Sequence, residues 1–519
     1  MCAKVYDSYF FDEGAFNTHD GAYIPLAIPA NATAKPLAIP TLLKPDKDTA
    51  TDTYYTVTAN PGETQFLPGE KTKTWGYTGS SYLGQTIVFE NGKNIHIDLK
   101  NELPELTTFH WHGLNVSGPI TDGGCHAPVY PGETNHIDFT ANQPAATLWL
   151  HAHPCPSTAT QVWKGLATMV LIKDDVEAKL PLPRNYGVDD IPVVLQDRKF
   201  HEHNQFDYRT DYDPDGVQGP VPVINGTINP YFDVTTQKLR LRLLDGANRR
   251  EWRLHFSDDL TFAEIGTDGG LLPEPVYLKK LMLTAAERAE IVVDFSDYQA
   301  GDTVILYSDD TPVVTFRIHD FKRTDAQLPE HLVDIADPDI TPGTKVHKVT
   351  LDGMDEEVAL NGKKFDMQRI DDKQKVGNVE YWDITNTNDP AEGAGMLHPY
   401  HMHGTLFTIV SRNGHEPYPN EHGLKDTVSV NPGETIRIKV KFDLTGVYMY
   451  HCHIIEHEDG GMMAQIESYD PDHPQTYHLM DMDTLMNAFA KEQGIDVKDV
   501  WMPGMNTDDN SSGGCHMNM

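Results

Sequence analysis

The sequence predicts an all-β chain of packed sandwiches or barrels, on three observations. Alternating apolar and polar runs recur: NIHIDLK over 94–100, KLRLRLL over 238–244 and TIRIKVKF over 435–442. A period of two sends every second side chain to one sheet face, so each run reads as a half-buried strand. Stretches rich in Pro, Gly, Asn and Asp separate the runs, as sheet turns require, and helical periodicity is scarce before Asp481.

A repeat orders the strands into units. PGETNHIDF starts at Pro131, AAERAEIVVDF at Ala285 and PGETIRIKVKF at Pro432. Each precedes a further strand: TLWLHAH over 147–153, TVILYSD over 303–309 and VYMYHCH over 447–453. The middle copy carries Tyr307 and Asp309 where the outer two carry histidines. Three related β units are expected, the first and third armed with ligands and the second a spacer. Charged, proline-containing stretches, KDDVEAKLPLPRN and ADPDITPGTK, mark the joints. The expected units are 1–175, 188–322 and 342–472, followed by a C-terminal segment 473–519. There, DMDTLMNAFAKEQG reads as a short helix with Leu485, Met486 and Phe489 on one face and Gly494 ending it. The last residues read as a disordered terminus, although Cys515, His516, Met517 and Met519 would be soft ligands for Cu(I).

Composition narrows the function. The 519 residues suggest several domains, on a prior of about 150 residues each. A formal net charge of −36 argues against nucleic acid or an anionic membrane as partner. No apolar run approaches the roughly 18 residues needed to cross a bilayer. The N-terminal stretch lacks a basic region followed by an apolar core, so no signal peptide is recognised. Five cysteines, Cys2, Cys125, Cys155, Cys452 and Cys515, are an odd count. Reduced thiols in a cytoplasmic protein are expected, and pairing of Cys125 with Cys155 stays open. A monomer is expected.

Histidine spacing carries the chemistry. Four His-x-His pairs stand in strand-like surroundings: His110/His112, His151/His153, His401/His403 and His451/His453. Residues i and i+2 of a strand share a face, so each pair can converge on neighbouring metals, and neutral imidazole suits copper, zinc, iron or nickel. With 25 histidines, roughly one such pair is expected by chance. A fifth pair, His201/His203, has a charged context and no counterpart in the repeat, and reads as surface loop. The other four fall at equivalent places in two copies of one unit. A second set remains: His398, Cys452, His457 and Met462, with Met463 as rival. Two histidines, a thiolate and a weak methionine make a blue copper ligand set. In an extended strand Cys452 points away from His451 and His453, so one segment would serve two centres.

These residues resemble the multicopper oxidases over roughly positions 50 to 470. The motifs are HWHG at 110, HxH at 151, HPxHxHG at 398 and HCHxxxHxxxxM at 451. LHPYHMHGTLFTIVSRNG, LKDTVSV and CHIIEHEDGGMM are similar to bacterial laccases and copper-efflux (cuprous) oxidases. The resemblance implies three cupredoxin domains and four coppers per chain. It implies a type 1 copper on His398, Cys452, His457 and Met462, and a type 2 copper on His110 and His401. It implies a type 3 pair on His112, His151, His153, His403, His451 and His453. It implies one-electron oxidation of a donor at type 1 copper and reduction of dioxygen to water at the trinuclear cluster. Asp122 and Glu458 match acidic residues near that cluster and are expected to deliver protons. Asp426 is expected to orient a ligand histidine.

The chain departs from the cuprous oxidases. It lacks their Met- and His-rich insert, and Lys363 to Gly393 contains only Met367. Met396 stands two before His398, but Ala394 replaces the acid of a Cu(I) docking site. An open type 1 edge is expected, favouring phenols, aromatic amines or dyes and a laccase-like activity. The alternatives are a cuprous oxidase and a non-catalytic copper-binding scaffold on the same fold.

Overall fold

A computed structural model describes residues 4–9, 23–210, 212–324, 326–389 and 395–501. Cys2, Ala394 and the Cys515, His516, Met517 and Met519 tail lie outside the described residues. The described chain is all-β, with three short α-helices at Thr158–Lys164, Ile455–Asp459 and Met482–Gln493. None is long and apolar enough to cross a membrane.

Six sheets supply three apolar cores, each drawing on two of them. The first pair of sheets centres on Asp52–Thr64 with Asn94–Asn101, and on Ala146–His151 with Ala167–Lys173. The second centres on Lys238–Asp245 with Arg288–Asp294, and on Thr303–Ser308 with Thr311–Ile318. The third centres on Glu380–Asn386 with Thr435–Val440, and on Gly446–Cys452 with Met463–Tyr469. The N-terminal segment departs from the expected 1–175 grouping by strand pairing. Val5–Tyr6 adds to Gly270–Leu278, and Lys35–Pro36 adds to Pro230–Val234, both in the second pair of sheets.

Asn94–Asn101 and Thr435–Val440 alternate in burial as their period of two predicts. Lys238–Asp245 does not: it is buried on both faces, arginines included. The physical reason is acidic cover. Arg240 donates to Glu177 and Glu290, and Arg242 to Asp190 and Glu290. A guanidinium leaves water only where carboxylates replace its hydration.

The C-terminal helix forms where expected. Asp481 caps it by accepting from Thr484 N at 2.8 Å, Gly494 ends it in the left-handed region, and Leu485, Met486 and Phe489 are buried. These side chains cover a sulfur-rich cluster of Cys125, Cys155, Met367, Met449 and Met463. Cys125 and Cys155 are joined in a disulfide across 30 residues, with Cα atoms 5.5 Å apart. This corrects the expectation of reduced thiols for that pair; a 30-residue loop carries no local mark of its closure. Cys452 is a buried free thiol.

Candidate metal centre

Two strands of the first unit and two of the third face each other with the same construction. His110–His112 pairs antiparallel with Ala146–His151, placing His110 opposite His151. His398–Met402 pairs antiparallel with Gly446–Cys452, placing His401 opposite His451 and Tyr400 opposite Cys452. The eight histidines of the four pairs are all buried. The halves interleave: His112 stacks on His401 with centroids 3.7 Å apart, and His110 on His403 at 3.9 Å. The structure therefore brings together all eight residues singled out by spacing. His201 and His203 stay exposed, with His203 beside Glu70.

Each ring has an outer and an inner nitrogen. Outer N–H groups donate to main-chain carbonyls: His110 to Asp122, His151 to Ala152, His401 to Asp426 and His451 to Cys452, at 2.8–2.9 Å. His403 Nδ1 donates to the Asp122 carboxylate at 2.8 Å, and His112 Nε2 to Asp426 at 3.1 Å. Such bonds fix the tautomer and leave the other lone pair for a metal. The inner atoms His110 Nε2, His112 Nδ1, His151 Nε2 and His401 Nε2, and both nitrogens of His453, are buried without a hydrogen-bond partner. Burial pushes His112, His151, His153, His401 and His451 well below the ordinary imidazole range, His403 to about 4 and His453 to about 3. Neutral, converging imidazoles fit a cluster of borderline metals such as copper.

Carboxylates surround the cluster in opposite states. Burial opposes ionisation of Asp122, but His403 and His110 beside it hold its carboxyl well below the usual range. Glu458 lies 3.2 Å from His153 Nε2 and 3.3 Å from His451 Nδ1, and burial pushes its carboxyl well above the usual range. Asp426 also reaches the middle unit. Arg288 Nη1 donates to it at 2.8 Å while Nη2 holds its other oxygen, and Asp268 lies behind. Gly113 of HWHG, at φ +86°, passes so close that a Cβ there would lie 2.5 Å from Asp426 Oδ2.

The sulfur centre lies on the other side of the same strand. Cys452 Sγ is 3.5 Å from His398 Nδ1 and 3.6 Å from His457 Nδ1. Burial pushes the Cys452 thiol far up, so a metal must displace its proton to bind. Met462 shares the apolar core of Cys452, whereas Met463 lies in the separate cluster with the disulfide. The expected open edge is corrected here: His398 and His457 are both fully buried. Asp215 accepts from His457 Nε2 at 3.0 Å, and the Asn388 amide lies 3.1 Å from His398 Nε2.

Asp215, Arg288, Asp268 and Asn388 were not legible in the sequence as site residues. Asp215 sits in a turn-rich acidic stretch without a pattern. Arg288 did leave a signal: it occupies the repeat position of Thr134 and Thr435, an arginine where the other copies carry threonine.

Comparison with known proteins agrees with this geometry. Family profiles described as multicopper oxidase match residues 58–177 and 339–472. The multicopper oxidase mco of Staphylococcus aureus is 41% identical over 431 residues, covering 83% of this chain and 92% of that protein. The crystal structure of a laccase from Pediococcus acidilactici superposes with a TM-score of 0.87 at 55% identity, covering 89% of this chain and 100% of that one. The cell division protein FtsP of Escherichia coli (strain K12) is 31% identical, covering 79% of this chain and 87% of that protein.

Proposed function

The chain belongs to the multicopper oxidase family, and we propose that within it the protein is a laccase-like oxidase of phenols or aromatic amines. As a member it is an oxidoreductase of cupredoxin fold with copper as cofactor, passing electrons from a reducing substrate to dioxygen. His398, Cys452, His457 and Met462 would hold the type 1 copper. His110 and His401 would hold the type 2 copper. His153, His403 and His451 would hold one type 3 copper, and His112, His151 and His453 the other. Bound there, copper supplies one-electron oxidation of the donor and four-electron reduction of dioxygen to two waters.

The observation that carries this reading is Cys452. Its sulfur lies between two imidazoles, and one peptide bond on either side leads to His451 and His453. Residues advance about 3.3 Å along a strand, so the covalent path is short. Glu458, buried between two cluster histidines, would give protons to the reaction. Asp122, hydrogen-bonded to His403, would orient that ring and relay protons to the cluster. Asp215 and Asn388 contact the outer nitrogens of the two sulfur-side imidazoles and would stand beside the entry of electrons from a donor. Asn388 is the shallower of the two. Met396, which a Cu(I) docking site would use, is buried in the third core, and that favours organic donors.

The test is copper content with absorption and spin-resonance spectra, then oxygen uptake with dimethoxyphenol against Cu(I). A blue thiolate band, four coppers and faster turnover of the phenol are expected. Faster turnover of Cu(I) would overturn the laccase reading in favour of a cuprous oxidase. The likeness to a cell division protein favours a second reading, a copper-binding scaffold. Copper bound without turnover of either donor would select it.

A further inference from the structure

Among the histidines of the cluster, His153 has an outer nitrogen that faces sulfur. Its Nδ1 lies 3.7 Å from Cys125 Sγ, whereas those of His110, His151, His401 and His451 meet carbonyl oxygens and that of His403 a carboxylate. Its Nε2 faces inward, 3.4 Å from His451 Nε2. One imidazole therefore bridges the cluster and the Cys125–Cys155 pair. Both cysteines are buried and lie close in sequence to site residues, Cys125 three after Asp122 and Cys155 two after His153. Cys125, Cys155 and His153 bring their ligand atoms within 4.8 Å of one another. Thioethers line the surroundings: Met367, Met449, Met463 and Met486 share the cluster with the pair. Met449 Sδ lies 3.1 Å from where a Cβ of Gly124 would be, against the loop that carries Cys125.

Joined to each other, the two sulfurs are poor ligands. Opened, they become two thiols beside an imidazole, a soft set that selects Cu(I). We infer that the dithiol form of Cys125 and Cys155, with His153 Nδ1, binds one Cu(I) ion and serves as a loading site for the adjacent histidine cluster. A dithiol reductant opens the bond: two electrons enter the S–S bond, and the reductant leaves as its own disulfide. Two thiol protons depart as Cu(I) binds. Closing the bond releases the Cu(I) to the histidine cluster and passes two electrons to dioxygen, which takes up two protons and leaves as hydrogen peroxide. The structure thus shows the closed state, and the open state belongs to loading. The inference goes beyond the proposed oxidase activity and rests on that reading only for the destination of the copper.

The test uses the full chain with Cys2→Ser, Cys452→Ser and Cys515→Ser, which leaves the pair as the only cysteine sulfur. Protein treated with a dithiol and desalted without air is titrated with Cu(I) against a coloured Cu(I) chelator, then read by X-ray absorption. One additional equivalent with thiolate sulfur is expected in the reduced protein and none in the air-oxidised protein. The oxidised form is the control, so no cysteine-pair variant need fold. Equal binding in both forms, or a bond that no dithiol opens while the circular dichroism stays native, would overturn the inference. In the unaltered chain, spin-resonance signals of the histidine cluster should develop faster from the reduced protein by about tenfold or more. Equal rates would overturn the loading role. Sulfur-bound Cu(I) supports the site even where the histidine cluster takes no copper, which would count against the proposed function alone.

Discussion

The eight-histidine cluster and the sulfur centre are neighbours on one strand, yet they are held differently. The cluster spans two units, and four of its outer nitrogens rest on main-chain carbonyls. The sulfur centre draws its ligands from the third unit, but its outer nitrogens rest on side chains, Asp215 and Asn388. A backbone carbonyl is present whatever side chain its residue carries, so these supports tolerate substitution. Side-chain supports are replaceable one at a time, so the sulfur centre is the more tunable of the two. The middle unit, expected as a spacer, reaches both, through Arg288 on Asp426 and through Asp215 on His457.

The largest expected effect removes the shared element. Cys452→Ser should abolish the blue band and bring oxygen uptake to background while spin resonance still reports the histidine-bound copper. Retained colour and turnover would break the comparison at its base. Next is the cluster's tie to the middle unit. Arg288→Met leaves Asp426 buried without its cation, while Asp268 keeps Lys425, at a cost of about 3–5 kcal/mol. Denaturant midpoints should fall and copper should be lost from the cluster before the sulfur centre. An unchanged midpoint would show the tie to be idle. Asp215→Asn should act on the other side alone. Copper affinity or turnover is expected to drop by about 10- to 100-fold, with a shifted blue band and unchanged cluster signals.

Proton linkage gives a smaller effect. Burial raises Glu456 to about 7 and Asp459 to about 8. For acids raised on folding, stability is full below the ordinary carboxyl range and declines as pH rises through these values. These two acids oppose the buried neutral histidines, whose contribution to stability grows as pH rises to about 6.5, so Glu456→Gln should make the denaturant midpoint climb more steeply between about pH 5 and pH 7. A variant with the slope of the parent protein would assign the linkage elsewhere. The smallest contrast separates adjacent methionines. Met463→Leu should cost less than about 1.5 kcal/mol and leave the blue spectrum alone, whereas Met462→Leu should change the spectrum.

The ligand histidines were legible because strand geometry is local. A His-x-His pair on one face needs only a period of two, and two copies of one unit repeat it. The C-terminal helix was legible from its cap, its apolar stripe and Gly494. The burial of Lys238–Asp245 on both faces was not, because alternation describes one strand and says nothing of an acidic surface laid over its polar side. The closed type 1 edge was missed for the same reason, since Asp215 arrives from another unit across 242 residues.

Local chain chemistry was thus enough to identify the β architecture, the armed and unarmed repeats and the opposed sides of the strand at Cys452. Three-dimensional packing settled which distant groups meet: Arg288 with Asp426, Asp215 with His457, Cys125 with Cys155 and His153. The division is physical. Periodicity and turn residues act over a few positions, whereas a buried charge or sulfur finds its partner through whichever surface folding brings against it.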